Sequence, residues 1–343
     1  MITNINRKRS VMIDNLKAFA CILVVLQHCL SYVVRNHNPI PFLVSLYGYV
    51  GVISVPLFFI ASGYLLHIQP IKQYYRKKAS KILIPFFVFT ALKLVYSLFV
   101  NDAFAHGGGV VEQLINAFIY GDLYWFSYSI LIMFLVAPLF WRTKRFSGGN
   151  CEHPIACVVL FAVLLLFNFL NEQFDLVNLP KVFQIGSTVE NLPFFLLGYI
   201  LKFYFPRNII TILRKRPIIS IVVIAVSSGL ALLLGDPKSI KYLPYFLMTL
   251  CLAIIVFCIA TYFKKENRCL AMIAKYTYQV FFLDSFVKVV IFSILEIIFS
   301  SVFFDSYLCF LIVGLEVTFN ICISVMITAF AEKIPVMRKM FGF

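Results

Sequence analysis

Long apolar runs recur along this chain, and they limit it to one class of fold. Crossing the hydrocarbon core of a bilayer takes about 20 apolar residues in a helix. In lipid, every backbone polar group must be bonded within its own segment, so such runs span as helices. We therefore predict an all-α, polytopic membrane bundle in a single domain, residues 1–343. The predicted spans lie near residues 12–34, 43–66, 82–100, 123–141, 154–171, 191–205, 218–234, 243–263, 270–298 and 307–331.

Composition and charge support a membrane protein over a soluble one. Hydrophobic residues make up 62% of the chain and charged residues 13%, whereas soluble domains carry roughly 25% charged residues. The net charge of +15 would suggest a nucleic-acid partner in a soluble protein. Here the basic residues form short clusters between alternate apolar runs, which is typical of cytoplasmic loops. We predict that both termini are cytoplasmic and that nucleic acid is not a partner. The opposite side would then hold only Arg35, Lys181, Lys238 and Lys241.

The nine cysteines show no paired CxxC spacing. We interpret them as small buried side chains, and we predict neither a disulfide framework nor a metal site.

The first apolar run carries ionisable side chains, which are costly in hydrocarbon and therefore indicate a function. At about 100° per residue, Lys17 and His28 lie roughly 20° apart around a helix, and Asp14 lies about 60° from Lys17. All three should share one face. A rise of about 1.5 Å per residue separates Lys17 from His28 by about 16 Å along the axis.

Each of these side chains has a functional and a structural interpretation. His28 could act as a general base near neutral pH, or it could pack against a neighbouring helix through a hydrogen bond. Lys17 could bind a phosphate-bearing donor, or it could extend its ammonium group to the membrane surface. Asp14 precedes Lys17 by three residues and could pair with it.

Further polar and aromatic landmarks follow. Pro56 should free a backbone carbonyl within the second span, and Ser62-Gly63 should permit close helix approach. The basic cluster at residues 75–81 could bind coenzyme A phosphates, or it could reflect topology and lipid contact. Trp125 fits an interfacial aromatic belt. The remaining acidic and basic candidates are Glu190, Asp284, Lys288, Glu296 and Glu316. Asp284 and Lys288 are four residues apart and could neutralise one another.

Together these landmarks resemble the acyltransferase 3 family of integral membrane proteins, which O-acylate cell-surface carbohydrates. The family's first helix carries a basic residue, ten intervening residues and a histidine, here Lys17 to His28. The other similar segments are Ile13 to Lys17, Pro56 to Tyr64, Lys81 to Pro85, Trp125-Phe126 with Pro138, Phe194 to Gly198, and Tyr276 to Leu283.

The resemblance implies a bacterial cytoplasmic-membrane enzyme that is an acetyl-CoA-dependent O-acetyltransferase. A cytoplasmic acyl-CoA would be the donor substrate, with no permanently bound cofactor. The acceptor would be a hydroxyl of an extracytoplasmic cell-surface glycan or its lipid-linked precursor. By motif, His28 would be the catalytic base and Lys17 its essential basic partner. Arg76, Lys77 and Lys81 would lie in the donor-binding region.

Ser62 and Tyr64 are expected beside the donor, where either hydroxyl, or a backbone N–H, could stabilise the oxyanion. Asp14, Trp125, Glu190 and Asp284 are candidates for the substrate side.

The chain also departs from the family pattern. Lys17 replaces the commoner arginine, which removes any bidentate phosphate contact at that position. Asp284 stands where members often carry a histidine. We expect no fused extracytoplasmic hydrolase-like domain of the kind that some relatives carry. Any second transfer step would then need another protein, so envelope-assembly proteins are candidate partners.

Two other classes of function compete with the enzyme. A transporter or exporter of a polysaccharide intermediate would also use a polar-lined bundle, but it would not consume a thioester. A structural subunit of an envelope-assembly complex would need neither His28 nor Lys17 for chemistry.

Overall fold

The computed structural model describes residues 11–37, 39–66, 71–99, 110–121, 123–140, 154–204, 215–235, 241–263, 267–299 and 301–343, with isolated residues between 205 and 214. Its long helices are α1 (Val11–Asn36), α2 (Pro41–Tyr64), α4 (Ile84–Phe99), α6 (Trp125–Phe140), α7 (Pro154–Phe174), α8 (Ile185–Tyr204), α9 (Pro217–Leu233), α10 (Tyr242–Tyr262), α11 (Arg268–Ile298) and α13 (Cys309–Ala331). The shorter ones are α3 (Ile71–Lys78), α5 (Val110–Ile115), α12 (Ser301–Phe304) and α14 (Pro335–Met340), with π-helical turns at Ala79–Leu83 and Asn116–Tyr120 and a 3₁₀ turn at Val182–Gln184.

Every predicted apolar run coincides with a helix, and no strand occurs among the described residues. The chain is therefore an all-helical membrane protein. Six helical stretches are long and apolar enough to cross a bilayer: Val11–Asn36, Pro41–Tyr64, Lys72–Tyr96, Ile155–Phe174, Tyr242–Tyr262 and Cys309–Ala331. A pair bent by 42°, Val111–Tyr120 with Trp125–Pro138, would make a seventh.

The count of ten spans stays a prediction, because the remaining helices are short or carry more polar groups. Helix α9 has 17 residues, and α11 carries Asp284 and Lys288 near its middle. Several features of the sequence lie outside the described residues. These are the basic residues at 7–9 and 142–145, the glycine-containing segment at 101–109, and His67 and His153.

The chain divides into two compact units. The first comprises residues 1–61, 206–240 and 244–325, and so contains α1, most of α2, α9, most of α10, α11, α12 and most of α13. The second comprises residues 62–205, 241–243 and 326–343, and so contains α3 to α8, the end of α13 and α14.

In the first unit, α1 lies along α11 with both helices running in the same direction. Small side chains allow the approach, since Ala18 and Ala274 are fully buried and pack with Leu270. Lys17 Nζ donates to the carbonyl oxygen of Ala274 at 2.9 Å. Because His28 also contacts α11, through its bond to Asp284, the predicted shared face of Lys17 and His28 is confirmed.

Helix α2 is interrupted by Pro56, which has no N–H to offer the carbonyl of Val52 four residues earlier. The hydroxyl of Thr249 on α10 lies 3.4 Å from that carbonyl and shares its single proton with the carbonyl of Tyr245, at 2.9 Å. Val52 also packs with Met248 and Ala231 in one buried cluster. The freed carbonyl predicted at Pro56 is thus present, and a side chain of another helix supplies its donor.

In the second unit, α3 and the π-helical turn that follows it carry the basic segment, residues 75–81. The end of α2 packs against α8. A Cβ atom on Gly63 would collide with the backbone carbonyl of Phe195, so the predicted close approach at Ser62-Gly63 is confirmed. The C-terminal residues fold back onto the π-helical turn that contains Lys81. There Gly342 has φ +77°, and an added Cβ would lie 2.9 Å from the carbonyl oxygen of Lys81.

Candidate active site

His28 and Asp284 form the tightest polar contact between α1 and α11. His28 Nδ1 lies 2.5 Å from Asp284 Oδ2. The two side chains differ sharply in accessibility, since the imidazole is 36% exposed and the carboxylate 1%. Asp284, a substrate-side candidate in the sequence, therefore lies behind the histidine as its partner.

This arrangement determines which nitrogen of His28 can act as a base. A carboxylate can only accept, so Nδ1 carries the proton and donates it to Asp284. The second ring nitrogen, Nε2, then has a lone pair. An imidazole held in this way can remove a proton from a hydroxyl, and the buried carboxylate stabilises the imidazolium that forms.

A third helix completes the environment of Asp284. Asn320 Nδ2, on α13, donates to Asp284 Oδ1 at 3.0 Å and to Glu316 Oε1 at 3.0 Å. Glu316 Oε2 in turn accepts from the thiol of Cys29, the residue next to His28. Asn320, Glu316 and Asp284 are all fully buried. These side chains, with His28, join α1, α11 and α13 in one ring of polar contacts.

Sequence reasoning noted Glu316 but did not identify Asn320. A signal exists, because Glu316, Asn320 and Ser324 recur at intervals of four residues in an otherwise apolar helix. That spacing places them on one face. Polar residues in a membrane helix normally face the interior of the helix bundle. The stripe therefore predicts that α13 packs against another helix here, but not which helix.

Lys17 lies on the same helix pair, toward the start of α1. Its ammonium group donates to the carbonyl oxygen of Ala274 at 2.9 Å. Lys17 therefore links α1 to α11, a contact that neither of its sequence-based interpretations, donor binding or extension to the surface, includes. Asp14 lies in the first turn of α1 and is half-buried. A carboxylate there is favourable because the helix N-terminus is partially positive.

From the sequence, Asp284 and Lys288 could neutralise one another, and the two charged groups do interact electrostatically. The hydrogen bonds of Asp284 are made to other groups, through Oδ2 to His28 and through Oδ1 to Asn320. Lys288 lies one helical turn further along α11.

A second histidine–carboxylate pair lies near the end of α1. His37 Nε2 is 3.3 Å from Glu296 Oε1, and the same oxygen accepts from the hydroxyl of Tyr32 at 2.8 Å. His37 also stacks on Phe304, with ring centroids 4.1 Å apart. Glu296 is 37% exposed, so this pair lacks the buried carboxylate that distinguishes the pair of His28 and Asp284.

The remaining site candidates belong to the second unit. Arg76, Lys77 and Lys81 are all exposed. Their neighbour Lys78 is turned inward, with its ammonium group 3.2 Å from the centroid of the Phe134 ring. The basic segment thus divides into three accessible cations and one cation packed on an aromatic face.

Ser62 and Tyr64 are half-buried at the end of α2, and Trp125 is the first residue of α6. Glu190 lies in the first part of α8, so that helix begins before the predicted span at residue 191. The backbone carbonyl of Glu190 accepts from the hydroxyl of Tyr242 at 3.0 Å.

The model of the acyltransferase domain that defines the acyltransferase 3 family matches residues 11–329. Neither a curated protein nor a solved structure matches the chain significantly. Because the family match begins with α1 and ends within the last turn of α13, it includes all three helices of the polar ring. The resemblance seen in the sequence is thereby confirmed, and the chain belongs to the acyltransferase 3 family.

Proposed function

We propose that this protein is a membrane O-acyltransferase. It moves an acyl group, most simply acetyl, from cytoplasmic acyl-CoA to a hydroxyl of an extracytoplasmic glycan or its lipid-linked precursor. The observation that carries the proposal is the contact of 2.5 Å between the accessible imidazole of His28 and the buried carboxylate of Asp284. Family membership supplies the reaction class.

In the proposed reaction, Nε2 of His28 takes the proton of the acceptor hydroxyl as that oxygen attacks the thioester carbonyl. The C–S bond then breaks, and the thiolate of coenzyme A leaves with the proton that His28 returns. The acyl group ends as an ester of the acceptor, and free coenzyme A is the second product. Asp284 keeps the proton of Nδ1 in place throughout. Ser62, Tyr64 or a backbone N–H is proposed to stabilise the oxyanion.

The exposed cations Arg76, Lys77 and Lys81 are proposed to contribute affinity for the phosphates of the donor. Lys17 is proposed to serve the donor as well, with the further role of holding α1 against α11. Its distance from His28, about 16 Å along α1, is of the order of a pantetheine arm. Both termini are proposed to be cytoplasmic, in a ten-span chain of the bacterial cytoplasmic membrane.

The experiment follows labelled acetyl groups from acetyl-CoA in membranes of a host that makes the glycan acceptor. It compares wild type, His28→Gln and the matched variant His37→Gln, which removes the other imidazole paired with a carboxylate of α11. We expect wild type and His37→Gln to label the glycan fraction. His28→Gln should lose about 10²- to 10⁴-fold of the rate, the usual contribution of a general base.

Equal rates in wild type and His28→Gln, at equal amounts of inserted protein, would remove His28 as the base. A wild type that exports a glycan intermediate and never releases coenzyme A would instead establish the transporter.

A further inference from the structure

We propose that Asn320 is a positioning residue, which holds the carboxylate of Asp284 in the orientation that keeps Nδ1 of His28 protonated. The inference rests on the proposed role of His28 as the base and extends it to a third helix. Asn320 acts through Asp284, to whose carboxylate it donates a hydrogen bond.

The orientation of the Asn320 amide is determined by its contacts. Its Nδ2 donates to Asp284 Oδ1 and Glu316 Oε1, both at 3.0 Å, and its Oδ1 accepts from the hydroxyl of Ser324 at 3.3 Å. Turning the amide over would place its carbonyl oxygen against two carboxyl oxygens. The side chain is fully buried, so that repulsion is not relieved by bulk solvent.

With the amide fixed, the carboxylate of Asp284 has little freedom to rotate. One oxygen accepts from Asn320 and the other from His28. If Asn320 could not donate, Oδ1 would be a buried acceptor without a partner, which is costly. The carboxylate would then gain by rotating, and the bond to His28 Nδ1 would weaken. The proton of the imidazole would be free to move to Nε2, where it blocks the base.

Glu316 and Cys29 close the ring from the other side. Glu316 accepts from Asn320 through one oxygen and from the thiol of Cys29 through the other. Since Cys29 and His28 are consecutive on α1, the ring returns to the helix that carries the base. A purely structural amide could bond to backbone carbonyls, as Asn168 does to that of Val189. The two short bonds of Asn320, both of 3.0 Å, go to carboxyl groups, and its longer contact of 3.4 Å is to the backbone carbonyl of Asp284.

The test compares Asn320→Leu with Asn168→Leu. Both variants remove a buried amide that bonds across helices, and Asn168 donates to the Val189 carbonyl and the Tyr242 hydroxyl. The first readout is the nitrogen NMR spectrum of 15N-histidine-labelled protein in lipid, with the His28 signals assigned by their loss in His28→Gln. Wild type and Asn168→Leu should show the Nδ1–H form of His28. Asn320→Leu should show a mixture with Nε2–H.

The second readout is the rate of acetyl transfer. We expect Asn320→Leu to lower kcat about 10- to 100-fold with an unchanged KM for acetyl-CoA, and Asn168→Leu to keep the wild-type kcat. An unchanged tautomer and kcat in folded Asn320→Leu would overturn the proposal. The NMR readout needs no acyl donor, so it decides the role of Asn320 even where wild type proves not to be an acyltransferase.

An exchange variant covers the case in which Asn320→Leu does not fold. It combines three changes, Asp284→Asn, Asn320→Asp and Glu316→Gln. The new carboxylate at position 320 then accepts from the amides at positions 284 and 316. The amide oxygen at position 284 is left to accept from Nδ1 of His28. Recovery of the Nδ1–H form, which Asp284→Asn alone should lose, would support the proposal, and failure to recover it would refute it.

Discussion

Replacing Asp284 by asparagine changes one oxygen into an NH₂ group and leaves the shape of the side chain almost intact. The result depends on the two donors that already face this position, His28 Nδ1 and Asn320 Nδ2. An asparagine amide offers one acceptor where two are needed. If its NH₂ group faces His28, Nδ1 must accept and the proton moves to Nε2. If its oxygen faces His28, the NH₂ group opposes that of Asn320.

The size of the effect on kcat depends on which of the two amide orientations has the lower free energy. Two opposed donors in a fully buried site forfeit at least one hydrogen bond and its desolvation, about 1–3 kcal/mol. The first orientation keeps every hydrogen bond and should dominate. Its imidazole has no lone pair at the accessible nitrogen, so the contribution of the base is lost. We expect kcat to fall by about 10²- to 10⁴-fold, which corresponds to roughly 3–5 kcal/mol of transition-state stabilisation.

The assay is the initial rate of acetyl transfer by purified protein in lipid nanodiscs, with the amount of folded protein measured by fluorescence-detected gel filtration. Asp284→Asn should elute like wild type, because no buried group is left without a partner in its preferred orientation. Its KM for acetyl-CoA should stay unchanged. A folded Asp284→Asn protein that retains more than about a tenth of the wild-type kcat would refute the assignment of the tautomer.

Three further variants test the packing that supports the site. Gly63→Ala should lower the free energy of unfolding by at least about 1–3 kcal/mol, because its methyl group would collide with the carbonyl of Phe195; a wild-type unfolding midpoint would contradict this. Gly342→Ala, at φ +77°, should lower the stability of the C-terminal segment by about 1–2 kcal/mol. It should raise the KM for acetyl-CoA without changing kcat. An unchanged KM would show that the C-terminal segment does not affect donor binding. Thr249→Val should cost about 1 kcal/mol through the unsatisfied carbonyl of Val52, whereas Thr249→Ser should cost much less.

Much of the fold could be predicted from the sequence because the bilayer allows few solutions. A chain with long apolar runs must form helices in lipid, and a helix appears at each predicted run. The shared face of Lys17 and His28 followed from helical geometry alone, and both contact α11. The close approach at Gly63 also followed from residue size. These features depend on local sequence only.

The partners of the polar side chains could not be predicted in the same way. His28 and Asp284 are 256 residues apart in sequence, and helical periodicity says nothing about which helices become neighbours. From the sequence alone, Asp284 is a candidate for the substrate side that could also neutralise Lys288, its neighbour in sequence. Asn320 was missed for the same reason. Its amide donates to one carboxyl group on α11 and one on α13, and this pairing can be recognised only once the two helices are known to be neighbours.

Once one pair of facing residues on α1 and α11 is known, the other facing pairs of these two helices follow. Parallel helices both rise by about 1.5 Å per residue, so residues that face one another keep a nearly constant difference in number. That difference is 257 for Lys17 and Ala274 and 256 for His28 and Asp284. The small residues at the Lys17 end of the seam, Ala18 and Ala274, bring the backbones close and set this register. Since one added residue would turn Asp284 by about 100°, the pairing of the base depends on packing three helical turns away.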